Sequence, residues 1–288
     1  MDLAAVLAID ILFSVASLAL LCAGLAVIFG MMRVINFAHG EFLMMGALSV
    51  IIFTDLGVNL WISMLVISPL VVGVIGIVIE RVLIRQLYGR MVDTLLATWG
   101  LSFFIIGVTT TFFGNTTRGL SAPLGSLQIG DYRTGFYGVF VIVLTVVVLF
   151  VSYLALRYTR VGLVARGTMQ NAGMASALGI DTPRVYSTTF GVGAALSGLA
   201  GAVLAPLSGV VPTMGLAYIA KTFIAVISGG GAVLSGTVAA SGLYGTIHQV
   251  VTFASTPVIG EVALLASAII LLRFMPQGIS GRWFRRGM

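Results

Sequence analysis

The sequence predicts an all-α protein, a polytopic transmembrane helical bundle of about eight or nine membrane segments, some of them short or broken. Three observations lead there. The composition is 59% hydrophobic and only 8% charged over 288 residues, with a mean hydropathy of +1.14, so there are too few charges to cover a water-soluble domain. The chain divides into apolar stretches near the ~20 residues that span a bilayer. Its arginines collect in short groups at the ends of those stretches, as membrane topology requires.

In order, the apolar stretches are 11–30, 40–54, 60–80, 92–113, 136–156, 185–207, 216–229, 232–252 and 258–274. The first reads as a retained span, because Asp2 and Asp10 stand where a signal peptide would be basic. As a helix, 40–54 would be only ~22 Å long, against a hydrocarbon core of ~30 Å. The stretch 216–229 runs into Ser228-Gly229-Gly230-Gly231, where a helix should break. Short or glycine-interrupted spans are where transporters place pathway elements. Gly193, Ser197 and Gly201 fall four apart in 185–207, a spacing that lets helices pack closely in lipid. Residues 1–288 read as one transmembrane domain.

Orientation follows from the arginines. Arg81, Arg85 and Arg90 form one group, Arg157, Arg160, Arg166 and Arg184 a second, and Arg273, Arg282, Arg285 and Arg286 a third. If the stretches alternate, all three groups and Arg33 share one side, which is cytoplasmic by the positive-inside rule. The N-terminus is then outside, the C-terminus inside, 114–135 an extracytoplasmic loop and 157–184 a cytoplasmic one. Within the second loop, TMQNAGMASAL (168–178) has no proline and is followed by Gly179, which predicts a short glycine-capped helix. Such a helix suits a docking element, and it equally suits an amphipathic linker lying on the membrane.

The residues exclude several chemistries. The net charge of +6 comes with no basic run interleaved with aromatics, so nucleic acid is not a partner. One cysteine, Cys22, allows no intrachain disulfide and no cysteine metal cluster. The only lysine, Lys221, follows Ala220, so no phosphate-binding loop exists. His39-Gly40-Glu41 lacks the second half of any zinc motif, and the only other histidine is His248. Gly278-Ile279-Ser280-Gly281 is similar to the nucleophile motif of intramembrane serine proteases, but it follows the last span and Pro276. The chain reads as non-catalytic, without cofactor or metal.

Polar groups inside apolar spans are costly and point to function. Lys221 is a candidate for the pathway or for snorkelling to the interface. His248 and Gln249 suit a cavity or an interhelical hydrogen bond, and Glu261 reads as interfacial. The densest case is RVINFAHGEF, 33–42, where Arg33, Asn36, His39 and Glu41 meet between two helices. Irregular backbone at membrane depth survives only against protein or a water-filled path. The plainer reading is a cytoplasmic turn, with Asn36 capping the next helix and Glu41 in its first turn. The residues alone support both.

Gly24-Leu25, Phe29-Gly30, the run Met32 to Phe42 and Gly46-Ala47 resemble the opening signature of the branched-chain amino acid permeases of ABC importers. The resemblance continues through Met169-Gln170-Asn171, Met174-Ala175, Leu178-Gly179-Ile180, Arg184-Val185 and Thr189-Phe190-Gly191. It extends to Leu199-Ala200-Gly201, Gly229-Gly230, Pro276-Gln277-Gly278 and Gly281-Arg282. It implies a permease in the bacterial inner membrane, paired with a second homologous permease subunit. Two cytoplasmic ATPase subunits would drive the pair, and an extracytoplasmic solute-binding protein would deliver substrate. It implies that Gln170, Asn171, Met174, Ala175 and Gly179 lie in the ATPase-coupling helix, although the family's usual glutamate is absent from Gly173-Met174-Ala175. It also raises Arg33, Asn36, His39 and Glu41 as a translocation path or gate, with Lys221 and His248 as further pathway candidates. The substrate it implies is a branched-chain or related hydrophobic amino acid. Urea or a short amide is the alternative, and an ion-coupled carrier or channel is a more distant one.

Overall fold

A computed structural model of the protein describes residues 2–32, 34–129, 132–230 and 232–281. The helices are α1 (Asp2–Met32), α2 (His39–Asp55), α3 (Leu60–Val82), α4 (Met91–Phe113), α5 (Phe136–Tyr158), α6 (Arg160–Gln170), α7 (Ala172–Ala177), α8 (Thr182–Ser208), α9 (Met214–Gly229), α10 (Ser235–Ala254) and α11 (Pro257–Phe274). Each of the nine apolar stretches has its own helix, the eighth starting at Ser235 rather than at 232. Among the described residues, six helices are long and apolar enough to cross a membrane. The 114–135 connection adds one antiparallel hairpin, β1 (Ser126–Ile129) with β2 (Tyr132–Gly135), Ser126 opposite Gly135.

The chain forms two compact units, with boundaries inside α1, α5 and α9. The larger holds Ala23–Leu120 and Phe150–Ile219. Its centre is α2, buried around nearly its whole circumference and packed on α3 and α8. Glycine makes that packing possible. A Cβ on Gly46 would strike the Gly198 backbone, and one on Gly201 would strike the backbone of Leu43. The Ser68 hydroxyl, on α3, reaches both Gly46 O at 2.9 Å and Gly198 O at 3.3 Å, and so joins three helices with one proton. Phe42 and Phe190 meet edge to face at 5.8 Å.

The outer helices of this unit are inverted relative to a soluble protein. On α3, Val66, Leu70, Val74, Val78 and Val82 are exposed in a stripe at intervals of four, while Val72, Gly73, Gly76 and Glu80 are buried. On α4, the buried face is Thr94, Thr98, Ser102, Ile105 and Thr109, whereas Leu96, Trp99, Phe103, Val108 and Phe112 point outward. Hydroxyls face protein and hydrocarbon faces out, the arrangement lipid selects. A π-helical turn at Ser63–Ile67 carries α3 past Pro69, whose missing N–H breaks the regular ladder.

The smaller unit comprises Met1–Cys22, Ser121–Leu149 and Ala220–Met288. Here Tyr244 is fully buried and its hydroxyl is 2.7 Å from Ser228 Oγ. Gly245 lies against the Val15 backbone. As the glycine run predicts, α9 ends at Gly229, and Gly230 adopts φ +80°. Ser280 ties the C-terminal turn down: its hydroxyl donates to Gly229 O at 2.6 Å and accepts from Ala232 N at 3.1 Å. The serine that resembles a nucleophile is thus buried in backbone hydrogen bonds.

Candidate functional site

The 33–42 stretch is a helix break, as the polarity of the sequence suggests. α1 ends at Met32, Arg33 lies outside the described residues, and α2 starts at His39. Asn36 does not cap α2. Its Oδ1 accepts from Ala38 N at 3.0 Å, an Asx turn one step earlier, and the cap position is Ala38 with no side-chain bond. Phe37 N donates to Thr98 Oγ1 at 3.1 Å, which anchors the break to α4.

The side chains of Asn36, His39 and Glu41 are fully buried in the larger unit. Glu41 stands in the first turn of α2, where the helix dipole favours an acid, and accepts from Ser102 Oγ at 2.9 Å. Ser197 Oγ gives its only proton to Gly193 O at 2.8 Å, so at the 3.3 Å contact His39 Nδ1–H is the donor. Gly40 lies against the Gly215 backbone. Among the described residues, Asn36 Nδ2 and Glu41 Oε2 have no hydrogen-bond partner. The break is therefore fastened to α4, α8 and the start of α9, with two buried polar atoms left over.

Val34 and Ile35, beside it, line a cavity of about 240 Å³ with Tyr88, Arg90 and Tyr186. Glu80, fully buried near the end of α3, accepts from Arg85 at 3.3–3.4 Å and from the Tyr88 hydroxyl. Burial first, and then that carboxylate, raise the Tyr88 hydroxyl above the usual tyrosine range.

The 157–184 connection holds two short helices where the sequence predicts one. Thr168–Gln170 finish α6, and Asn171 breaks the helix by accepting from Met174 N at 2.9 Å to cap α7. The glycine cap is present: Gly179 has φ +84°, Gly179 N bonds Ser176 O at 2.9 Å, and Ile180 N bonds Ala175 O at 3.0 Å. Gln170, Asn171, Met174, Leu178 and Gly179 are exposed, and Ala175 is buried. The result is a small-residue knob capped at both ends, with two exposed apolar residues, Met174 and Leu178.

Among known families, the chain matches over residues 7–275 the one described as "Branched-chain amino acid transport system / permease component". The chain belongs to this family. It is 29% identical over 284 residues to the high-affinity branched-chain amino acid transport system permease protein LivH of Escherichia coli (strain K12), which covers 92% of this chain and 91% of that one. It is 26% identical over 285 residues to BraD, a permease protein of the same description from Pseudomonas aeruginosa, at 92% and 91% coverage. It is 28% identical over 284 residues to the probable branched-chain amino acid transport permease protein LivH of Methanocaldococcus jannaschii, at 92% and 88% coverage. No solved structure matches it. The permease is thus a multi-pass membrane protein and a transport subunit.

In the smaller unit of the permease, Lys221 pairs with Glu261 at 2.7 Å, and His248 lies 3.8 Å from the same carboxylate oxygen. The ion pair gives Lys221 and Glu261 a partner across two helices that neither residue's own sequence neighbourhood indicates. The sequence marks Ser197 as a packing residue only, and it gives Thr98 and Ser102 no role. The spacing of Thr94, Thr98 and Ser102 at intervals of four carries the signal, a hydroxyl stripe on an apolar helix.

Proposed function

We propose that the chain is the transmembrane permease subunit of a binding-protein-dependent ABC importer, carrying branched-chain or related hydrophobic amino acids through a bacterial cell membrane. The observation that carries this reading is the family match across residues 7–275. A second homologous permease subunit completes the path, two cytoplasmic ATPase subunits drive it, and an extracytoplasmic binding protein delivers the ligand. The N-terminus is outside and the C-terminus cytoplasmic, in keeping with the arginine groups.

In this reading α6 and α7 dock the ATPase, and Met174 and Leu178 are the tips that enter it. Their support is exposure on a doubly capped element. The break at 34–38 acts as a gate rather than a channel wall, since Asn36, His39 and Glu41 are buried. His39 is bonded to Ser197 on α8, and α8 follows the docking element directly. A shift of α8 on ATP binding therefore pulls on the start of α2, which suits alternating access.

The test is leucine uptake by the complex co-expressed with its neighbouring subunits. The reading predicts ATP-dependent uptake, with Glu41→Ala lowering transport more than assembly. It fails if no ATPase co-purifies and Met174 or Gly179 variants transport normally. Uptake that survives without ATP and collapses with the proton gradient would mark an ion-coupled carrier instead.

A further inference from the structure

Three helices of the smaller unit bring charge to one point. Lys221 Nζ of α9 is 2.7 Å from Glu261 Oε1 of α11, and His248 Nε2 of α10 is 3.8 Å from that oxygen. Behind them His248 Nδ1 lies 3.5 Å from the Ser14 hydroxyl of α1. The cluster is neither sealed nor free: the side chains of Lys221, His248 and Glu261 are 18%, 22% and 42% exposed. Charge on a lipid-facing surface is costly, so the open side of this cluster meets water or protein.

We propose that Lys221, Glu261 and His248 form a binding station for a zwitterionic α-amino acid on its way through the permease. Lys221 takes the carboxylate and Glu261 the ammonium group. This rests on the amino acid importer reading and adds a reason to prefer it over urea. The argument is charge balance. With the site empty, the two ions neutralise each other. A ligand bearing both charges one carbon apart exchanges the Lys221–Glu261 bond for two charge-assisted bonds and strands neither ion. A lone cation on Glu261 would strand Lys221, which is only 18% exposed, away from that carboxylate. An uncharged amide would oppose two full charges with neutral dipoles. His248 supplies a further polar group as the pair opens. Val258, three residues before Glu261 and so on the same stripe of α11, is 73% exposed and offers an apolar contact for a hydrocarbon side chain.

The test uses the full complex with Lys221→Met, Glu261→Gln and the double exchange Lys221→Glu with Glu261→Lys. Leucine uptake is measured in liposomes. Heat stability is measured without binding protein, in leucine, leucinamide, isocaproate or isovaleramide. Leucine alone of the four is expected to stabilise the unsubstituted complex. Both single variants should assemble and lose that stabilisation, with uptake falling about tenfold or more, the loss expected on removing one charge-assisted bond, whereas the double exchange keeps both charges and should regain part of each. If leucine stabilises the single variants as much as the unsubstituted complex, the pair is a structural clamp and the proposal is wrong. It is also wrong if a single variant sheds the second permease subunit and the double exchange regains it, since the pair is then a subunit contact. An unsubstituted complex that takes up no leucine removes the importer reading itself, and the station with it.

Discussion

Ser102 Oγ lies 2.9 Å from Glu41 Oε1, a hydroxyl on α4 donating to a fully buried carboxyl at the head of α2. One carboxyl oxygen is used, and only as an acceptor, which an amide supplies equally well. Glu41→Gln should therefore keep the fold, with a thermal midpoint in detergent close to that of the unsubstituted protein. Glu41→Ala removes the acceptor and leaves a buried hydroxyl unpaired, at a cost of about 1–3 kcal/mol. If Glu41→Gln folds normally yet fails to transport, the carboxyl itself works in the gate. Matching losses in Gln and Ala variants would instead show that the acidic group holds the break closed.

A second contrast separates contact glycines from idle ones. A Cβ on Gly201 would meet the Leu43 backbone, which cannot move aside as a flexible side chain can. Gly201→Ala should push α8 from α2 and cost about 1–3 kcal/mol. Gly107, on α4, has nothing within 4 Å. Gly107→Ala should be neutral or stabilise by about 0.5–1 kcal/mol through helix propensity. Thermal unfolding of both variants in one detergent decides this.

These two glycines also mark what the sequence made legible. Gly193, Ser197 and Gly201 announce a close-packed face through spacing alone, and the nine apolar stretches locate the helices through composition alone. The partners across that face cannot be read from one chain, because Gly201 meets Leu43 and Ser197 meets His39 at separations of 158 residues. Local competition hid the rest. Asn36 has a helix start beside it, but a nearer N–H, that of Ala38, captures its side chain. Asn171 likewise splits a segment with no proline, since an Asx cap competes with the helical bond. The place of Glu261 near the start of α11 marks it as interfacial and says nothing of Lys221, forty residues away.

The docking role proposed for α6 and α7 can be tested without loss of charge. Gly179 holds φ +84°, a left-handed conformation that costs a Cβ-bearing residue about 1–2 kcal/mol. Asn171→Ala removes the cap of α7, worth about 1 kcal/mol. Both residues are exposed, so neither change should unfold the bundle. Each should loosen α7 and lower ATPase retention on purification, while the yield of the permease itself stays level. Gly179→Asn, which tolerates the left-handed region, should retain more ATPase than Gly179→Ala.

The orientation is open to a labelling test that the composition makes simple. Cys22 is the only cysteine and is buried, so a Cys22→Ser background is clean. Ser121 precedes the hairpin and Ser176 lies on α7, and both are exposed. If the arginine groups set the topology, Ser121→Cys in intact cells should react with a membrane-impermeant maleimide. Ser176→Cys should react only after the membrane is opened. The reverse pattern would put α6 and α7 outside, beyond the reach of any cytoplasmic ATPase. Labelling of both positions from one side would require an even number of crossings between them. Only α5 joins the two sites as a full-length apolar helix, so an odd number is expected.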